Sequence, residues 1–411
     1  MLAQQPKYGI FTHSVGYHTQ GHCLLDKLRA IADAGIDGVE IFSDDLYEFS
    51  KSQTFARLSS GSPQHDSLLT PPDSPLAKHR KLSSSSVASS SSSSSSSPVL
   101  ESTYNAYGAC STFELDQEIR AAEYVADFCR SLGLEIYNLQ PLRDIEGWVD
   151  AKDREVAMER VKSRFPVMKA LGTELLLICS NNAKAPQTTG DLDTLVKDFT
   201  QISDMAYHFA EVEGHNIKVG FEALSWGAHV DVWQQAWEVV RTTDRDNIGL
   251  ILDSFNTLGR QFADPCTVSG IQEPVAATYA ALESNLELLS TSVPASKIFF
   301  LQIGDACRMP APLEPSPNAN EPRPARMIWS RSSRLFPCEF DRGAFMPVKD
   351  FIAAVAKTGY SGPWSIEVFN NSLDDANPTV PLSHATRARA GLDRLVEQVA
   401  AHLDKAAIAS H

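Results

Sequence analysis

Four apolar runs in this chain each end abruptly in an oxygen donor. Ile217–Phe221 runs into Glu222, Ile248–Leu252 into Asp253, Lys297–Leu301 into Gln302, and Trp364–Ile366 into Glu367. A carboxylate closing a buried strand is costly unless a cation meets it. Three carboxylates and one amide form a hard, all-oxygen donor set, which suits Mg²⁺ or Mn²⁺, with Co²⁺ acceptable, far better than Zn²⁺. Such a divalent cation would keep coordination positions open for water or substrate oxygens. The plainer reading, four strand ends that are each salt-bridged separately, has to explain the same device four times in succession.

Other residues near strand ends could take part. His13 closes the first strand, and His229 lies seven residues past Glu222; either imidazole could move a proton near neutral pH. Glu40, inside the second strand, could point into the same space and act on the reaction or on a ligand. Arg143, Arg260 and Arg334 follow strands three, six and seven, where a guanidinium can hold a substrate carboxylate in bidentate fashion. Each of these could equally be an ordinary hydrogen-bonding or ion-paired group.

These residues need a scaffold that gathers strand ends. Tyr8–His13 and Gly38–Phe42 read as strands flanking a helix at Cys23–Ala34, whose apolar face carries Leu24, Leu25, Leu28 and Ile31. Strands at Glu135–Leu139 and Glu174–Cys179 follow, alternating with helices at 114–132, 154–171 and 192–212. Ile217–Arg260 then reads as a complete βαβ unit, its helix carrying Val230, Trp233, Ala236, Trp237 and Val240. Helices at 275–290, 348–357 and 383–403 complete the alternation, with a long irregular loop expected over 304–345. Eight strands and eight helices predict an α/β fold, a TIM (β/α)8 barrel whose strand C-termini share one face. The chain 1–411 is expected to be one such domain.

One stretch breaks the rhythm. Between 59 and 105 lies a low-complexity insert after strand 2, with thirteen serines among the fifteen residues Ser83–Ser97. It cannot bury enough apolar surface to offset chain entropy, so it is expected to be disordered. Thr70-Pro71 and Ser74-Pro75 within it could accept phosphate, although an untuned loop expansion explains them as well.

Composition narrows the partners. Of 411 residues 43% are hydrophobic, and the formal net charge of -15 opposes a nucleic-acid backbone as the main partner. The start of the chain lacks the pattern of a secretory signal, and no membrane-spanning run is expected. Seven cysteines without paired spacing fit a reducing cytoplasm. A small-molecule substrate is the expected partner, with no nucleic acid and no membrane; a homo-oligomer is compatible with this composition.

The strings THSVG (Thr12–Gly16), GVEIF, NLQPLRDIEGW (Asn138–Trp148), FEALSWG, LDSFNTLGR and SRLFPCEFDRG (Ser333–Gly343) resemble the fungal-type 3-dehydroshikimate dehydratases. These belong to the xylose-isomerase-like TIM barrels. The resemblance covers nearly the whole chain apart from the insert. It implies metal-dependent conversion of 3-dehydroshikimate to protocatechuate plus water, in quinate and shikimate catabolism. By position it places the metal ligands on Glu222, Asp253, Gln302 and Glu367. Two departures stand out. Asn256 occupies the place where many bacterial relatives carry an acid/base His, so proton transfer must fall to His229, His13 or water held at the metal, and Asn256 is grouped with the arginines as substrate-binding. Cys338 stands where the wider group often has Gly. The carboxylate of the ring is expected on Arg334, with Arg143 second. The rival readings are a keto-sugar isomerase or epimerase of the same barrel group, which would show no dehydration product, a nuclease of that fold, and a non-catalytic pathway regulator.

Overall fold

In a computed structural model, which describes residues 5–59 and 103–409, eight strands close into a barrel. They are β1 Tyr8–Phe11, β2 Gly38–Phe42, β3 Glu135–Leu142, β4 Leu175–Cys179, β5 Lys218–Glu222, β6 Ile248–Asp253, β7 Ile298–Ile303 and β8 Trp364–Ile366. Each pairs in parallel with its chain neighbours, and β8 returns to β1 through Tyr8–Trp364 and Ile10–Ile366. Helices occupy the crossovers. The TIM barrel expected from the alternation of strands and helices is the fold observed.

The strands are buried on both faces, which explains their continuous apolar runs. One face packs outward against helices: Leu176 and Ile178 join the large cluster shared with Val161, Phe165 and Phe199. The other face fills the barrel, where Leu175, Leu177, Ile251 and Phe300 form a separate apolar floor. Close packing there demands small residues. A Cβ on Gly249 would stand 2.6 Å from the Phe299 ring. Helix ends follow local rules: Ser111 and Glu114 form a reciprocal capping box on the helix Thr112–Ser131, and Gly172 ends the helix Ala151–Leu171 in the left-handed conformation. Buried ion pairs tie helices together, with Arg164 against Glu118 at 2.6 Å.

Several expected boundaries move. The first strand stops at Phe11, and His13 lies in a 3-10 turn at Thr12–Val15. The helix between β5 and β6 begins at Trp233, so Val230 and His229 precede it. An additional helix, Ser254–Gln261, follows β6 directly. The loop expected over 304–345 contains a helix, Ala325–Ser333, and an antiparallel pairing of Asp305–Ala306 with Arg334–Leu335. Of the expected disordered insert, residues 60–102, with Thr70 and Ser74, lie outside the described residues. Its edges are ordered. Ser59 ends a helix, and Thr103–Asn105 pairs with Gly108–Cys110. Tight turn chemistry at 105–108, where Asn105 Oδ1 accepts from the Tyr107 and Gly108 amides, outweighs the polar composition around it. Among the described residues no helix is long and apolar enough to cross a membrane.

Candidate active site

The C-terminal ends of β5, β6 and β8 bring Glu222, Asp253 and Glu367 together. One carboxylate oxygen from each lies within 4.8 Å of the others, and all three residues are buried. Gln302 on β7 lies directly across the pairing from Asp253 and Ser365. Its Nε2 donates to Glu40 at 2.8 Å and to Glu367 at 3.3 Å, while its buried Oε1 has no partner. Burial and the repulsion of Glu367 and Asp253 push the Glu222 carboxyl well above its ordinary range, against the pull of Arg334. Burial likewise raises Asp253, and it raises Glu367 to about 7, against the pull of Arg334 on both. A divalent cation fits this cluster: it would supply the missing positive charge and a partner for the orphan amide oxygen.

Beneath the cluster the barrel holds a polar layer. Glu40, fully buried on β2, accepts from Ser365 Oγ at 2.6 Å, Asn138 Nδ2 at 2.9 Å, Gln140 Nε2 at 3.0 Å and Gln302. Burial, reinforced by Glu367, still lifts its pKa to about 8. Glu40 therefore orients the amides that face the quartet. Asn256, from the helix after β6, donates to Glu222 Oε1 at 2.7 Å and Asp253 Oδ2 at 2.8 Å. It is not among the residues that line the cavity, and its amide bridges these two carboxylates.

Above the quartet opens a cavity of about 300 Å³, lined by Glu222, Glu367, Gln140, Cys179 and an aromatic rim of Phe11, Tyr17, Phe42, Trp226 and Phe369. Three arginines reach it. Arg334 is fully buried, donates Nη1 to Asp253 Oδ2 and Glu367 Oε2 at 2.9 Å each and Nε to Ser330 Oγ at 3.0 Å, and stacks over Phe255. Its charge is committed to the acidic cluster; only Nη2 is without a hydrogen bond among the described residues. Arg143 and Arg331 differ. Neither guanidinium has an ion pair among the described residues, and burial followed by the like charge of Arg143 holds the Arg331 pKa down. Two uncompensated cations at one rim invite an anion. Arg331 escaped the sequence reading because it lies on a helix where a loop was expected. Arg260 is not among the lining residues; it pairs with Asp231 at 2.6 Å.

The imidazoles separate in the same way. His13 lines the cavity, stacks on Tyr17 with ring centroids 4.1 Å apart, and encloses an Nδ1 without a partner. Burial keeps it neutral, well below the usual imidazole pKa. His229 lies outside the lining, with Nε2 against Thr188 Oγ1 at 3.0 Å. His18, which the sequence reading did not single out, does line the cavity. The density of histidines in THSVGYHTQGH was the available signal. Cys338 has a positive φ of 64°, a left-handed conformation that favours Gly.

Residues 106–398 match the family described as xylose isomerase-like TIM barrel. A 3-dehydroshikimate dehydratase of Neurospora crassa is 30% identical over 395 residues, 96% of this chain and 94% of that protein. One of Pseudomonas aeruginosa, also named 3-dehydroshikimate dehydratase, is 30% identical over 93% of this chain, which spans 41% of that longer protein. Among solved structures, a xylose isomerase-like TIM barrel/4-hydroxyphenylpyruvate dioxygenase fusion protein aligns with 98% of this chain and 44% of its own, at 26% identity and a TM-score of 0.62. The IOLI protein with a binding zinc atom, 17% identical over 96% of this chain and 98% of its own with a TM-score of 0.57, shares the fold. The chain belongs to the xylose isomerase-like TIM barrel family, and within it to the group of enzymes that includes the fungal 3-dehydroshikimate dehydratases.

Proposed function

We propose that the protein is a metal-dependent 3-dehydroshikimate dehydratase, converting 3-dehydroshikimate to protocatechuate and water within quinate and shikimate catabolism. The observation that carries this reading is a buried tricarboxylate cluster with an unpaired amide oxygen, set under a cavity whose rim holds two uncompensated arginines. A metal-polarised ketone and an anionic substituent are the two features such a site would recognise, and both occur in this substrate. The similarity to the Neurospora crassa dehydratase over almost the whole of both chains supports the same substrate.

Glu222, Asp253, Glu367 and Gln302 Oε1 would hold Mg²⁺ or Mn²⁺. When bound, the cation supplies Lewis-acid stabilisation to negative charge developing on a ketone oxygen. Arg143 and Arg331 bind and orient the ring carboxylate, with Arg334 Nη2 within the same cavity. Phe11, Phe42, Phe369 and Trp226 exclude water around the ring. His13, kept neutral by burial and enclosed at Nδ1, has Nε2 left to accept the proton α to the ketone. Asn256 and Glu40 touch no substrate and hold the ligand side chains in register. The test is incubation of purified protein with 3-dehydroshikimate and Mg²⁺ or Mn²⁺, followed by chromatographic identification of the product. Protocatechuate is expected; an unchanged substrate, or an isomerised one that retains all its oxygens, would refute the reading.

A further inference from the structure

Elimination of water needs a proton donor for the departing hydroxyl, and the residues already placed leave that role open. We propose that His18, oriented by Asp45, is the acid that protonates the leaving hydroxyl. This rests on the dehydratase reading. His18 lines the cavity from a 3-10 turn at His18–Gln20, and its side chain is 27% exposed, so a proton can be replenished from solvent. Nδ1 faces Asp45 Oδ1 at 3.3 Å, and Nε2 carries no hydrogen bond among the described residues. Asp45 is buried and held from three sides. Thr12 Oγ1 donates to it at 2.8 Å, and Lys27 Nζ donates to both its oxygens at 2.8 Å. This is a cavity-lining imidazole with one nitrogen fixed by a carboxylate and the other left unpartnered, an arrangement suited to general acid catalysis.

The other imidazoles near the quartet do not share it. His13 is stacked among aromatic rings with its Nδ1 unpartnered, and His229 is outside the cavity. Asn256 has no titratable proton. The Asp45 bond raises the His18 pKa against the effect of burial, which favours the protonated ring.

The step balances without an outside reagent. The base takes the proton α to the ketone, and its electron pair passes into the ring. The bond from the β carbon to its hydroxyl breaks as that oxygen takes the Nε2 proton of His18, and water departs. The neutral imidazole recovers a proton from solvent, matching the one released by the base. Aromatisation then moves a ring proton to the ketone oxygen with no change in oxidation state.

The experiment compares wild-type protein with His18→Asn, measuring kcat and KM for 3-dehydroshikimate across pH, together with a ¹⁵N titration of the His18 ring in the wild type. The charged and titratable groups facing His18 are Asp45 and Asp44, Lys27, and His13, with Arg143 and the adjacent Tyr17 lining the same cavity. The proposal expects kcat of His18→Asn to fall by about 100-fold or more with KM altered only a few-fold. It also expects the alkaline limb of the wild-type profile, where the acid loses its proton, to vanish in the variant, and His18 to titrate above 6.5. Asp45→Asn should move that limb to lower pH; the His18 variant keeps the test decisive if unpaired Lys27 prevents that protein from folding. Full kcat in His18→Asn, an unchanged alkaline limb, or a His18 pKa below 6.5 would overturn the assignment while leaving the dehydratase intact. A wild-type protein that forms no protocatechuate would overturn both.

Discussion

Gln302 Nε2 donates to Glu40 at 2.8 Å and more weakly to Glu367 at 3.3 Å, which leaves its amide Oε1 buried and without a partner. Rotation of the amide would place its oxygen against the Glu40 carboxylate, so the Glu40 contact holds the amide with its nitrogen on the carboxylates and its oxygen unpaired. Glu40 thereby acts on the carboxylate cluster without belonging to it.

Replacing Glu40 by Ala should release that orientation. Mn²⁺ affinity measured by calorimetry should fall about 10–100-fold, while Glu40→Gln, which restores volume and can still accept, should lose less. Unaltered Mn²⁺ binding in Glu40→Ala would show that the polar layer is only a filler of the barrel.

Arg143 and Arg331 face a different test. Removing either guanidinium should raise KM for 3-dehydroshikimate with kcat much less affected, because the carboxylate stays charged throughout the reaction. A charge-assisted hydrogen bond of about 2 kcal/mol corresponds to roughly 30-fold in kcat/KM. Arg260→Ala, at a residue paired with Asp231 and outside the cavity, should leave both constants near wild type. Steady-state kinetics of the three variants checks the assignment.

Much of this site was legible before the fold was known, because the cause was local. Glu222 and Asp253 terminate strands buried on both faces, where a carboxylate is conspicuous against Val219, Phe221, Leu250 and Leu252. The roles of Arg334 and Asn256 were not legible. Each depends on which neighbours the barrel brings within 3 Å, and loop residues 304–345 give no periodic signal for the helix that carries Arg331. His18 and Asp45 are 27 residues apart and meet only through the closure of β1 against β2.

Stability should also depend on pH through His384. It is 5% exposed, with Nδ1 on the Val380 carbonyl and Nε2 against Ser372 Oγ, both at 2.9 Å, and burial lowers its pKa to about 4. A depressed imidazole costs the folded state nothing above pH 6.5, where the unfolded chain is neutral too. As pH falls from 6.5 towards 4 the unfolded chain binds the proton first, so stability declines across that window and the loss levels off below it. Urea midpoints at pH 7.5 and 5 should therefore separate more for the wild type than for His384→Gln, by an amount on the order of 1–3 kcal/mol. Equal separations would remove His384 as a source of acid sensitivity.

The central claim is that the buried quartet is a metal site on which dehydration depends. The most direct measurement strips the protein with chelator, titrates Mn²⁺ back, and follows both bound metal and protocatechuate formation in the same samples. The account predicts no product without metal and activity that rises in proportion to one bound Mn²⁺ per chain, with both lost in Glu222→Gln. Full turnover of 3-dehydroshikimate by the metal-free protein would contradict it.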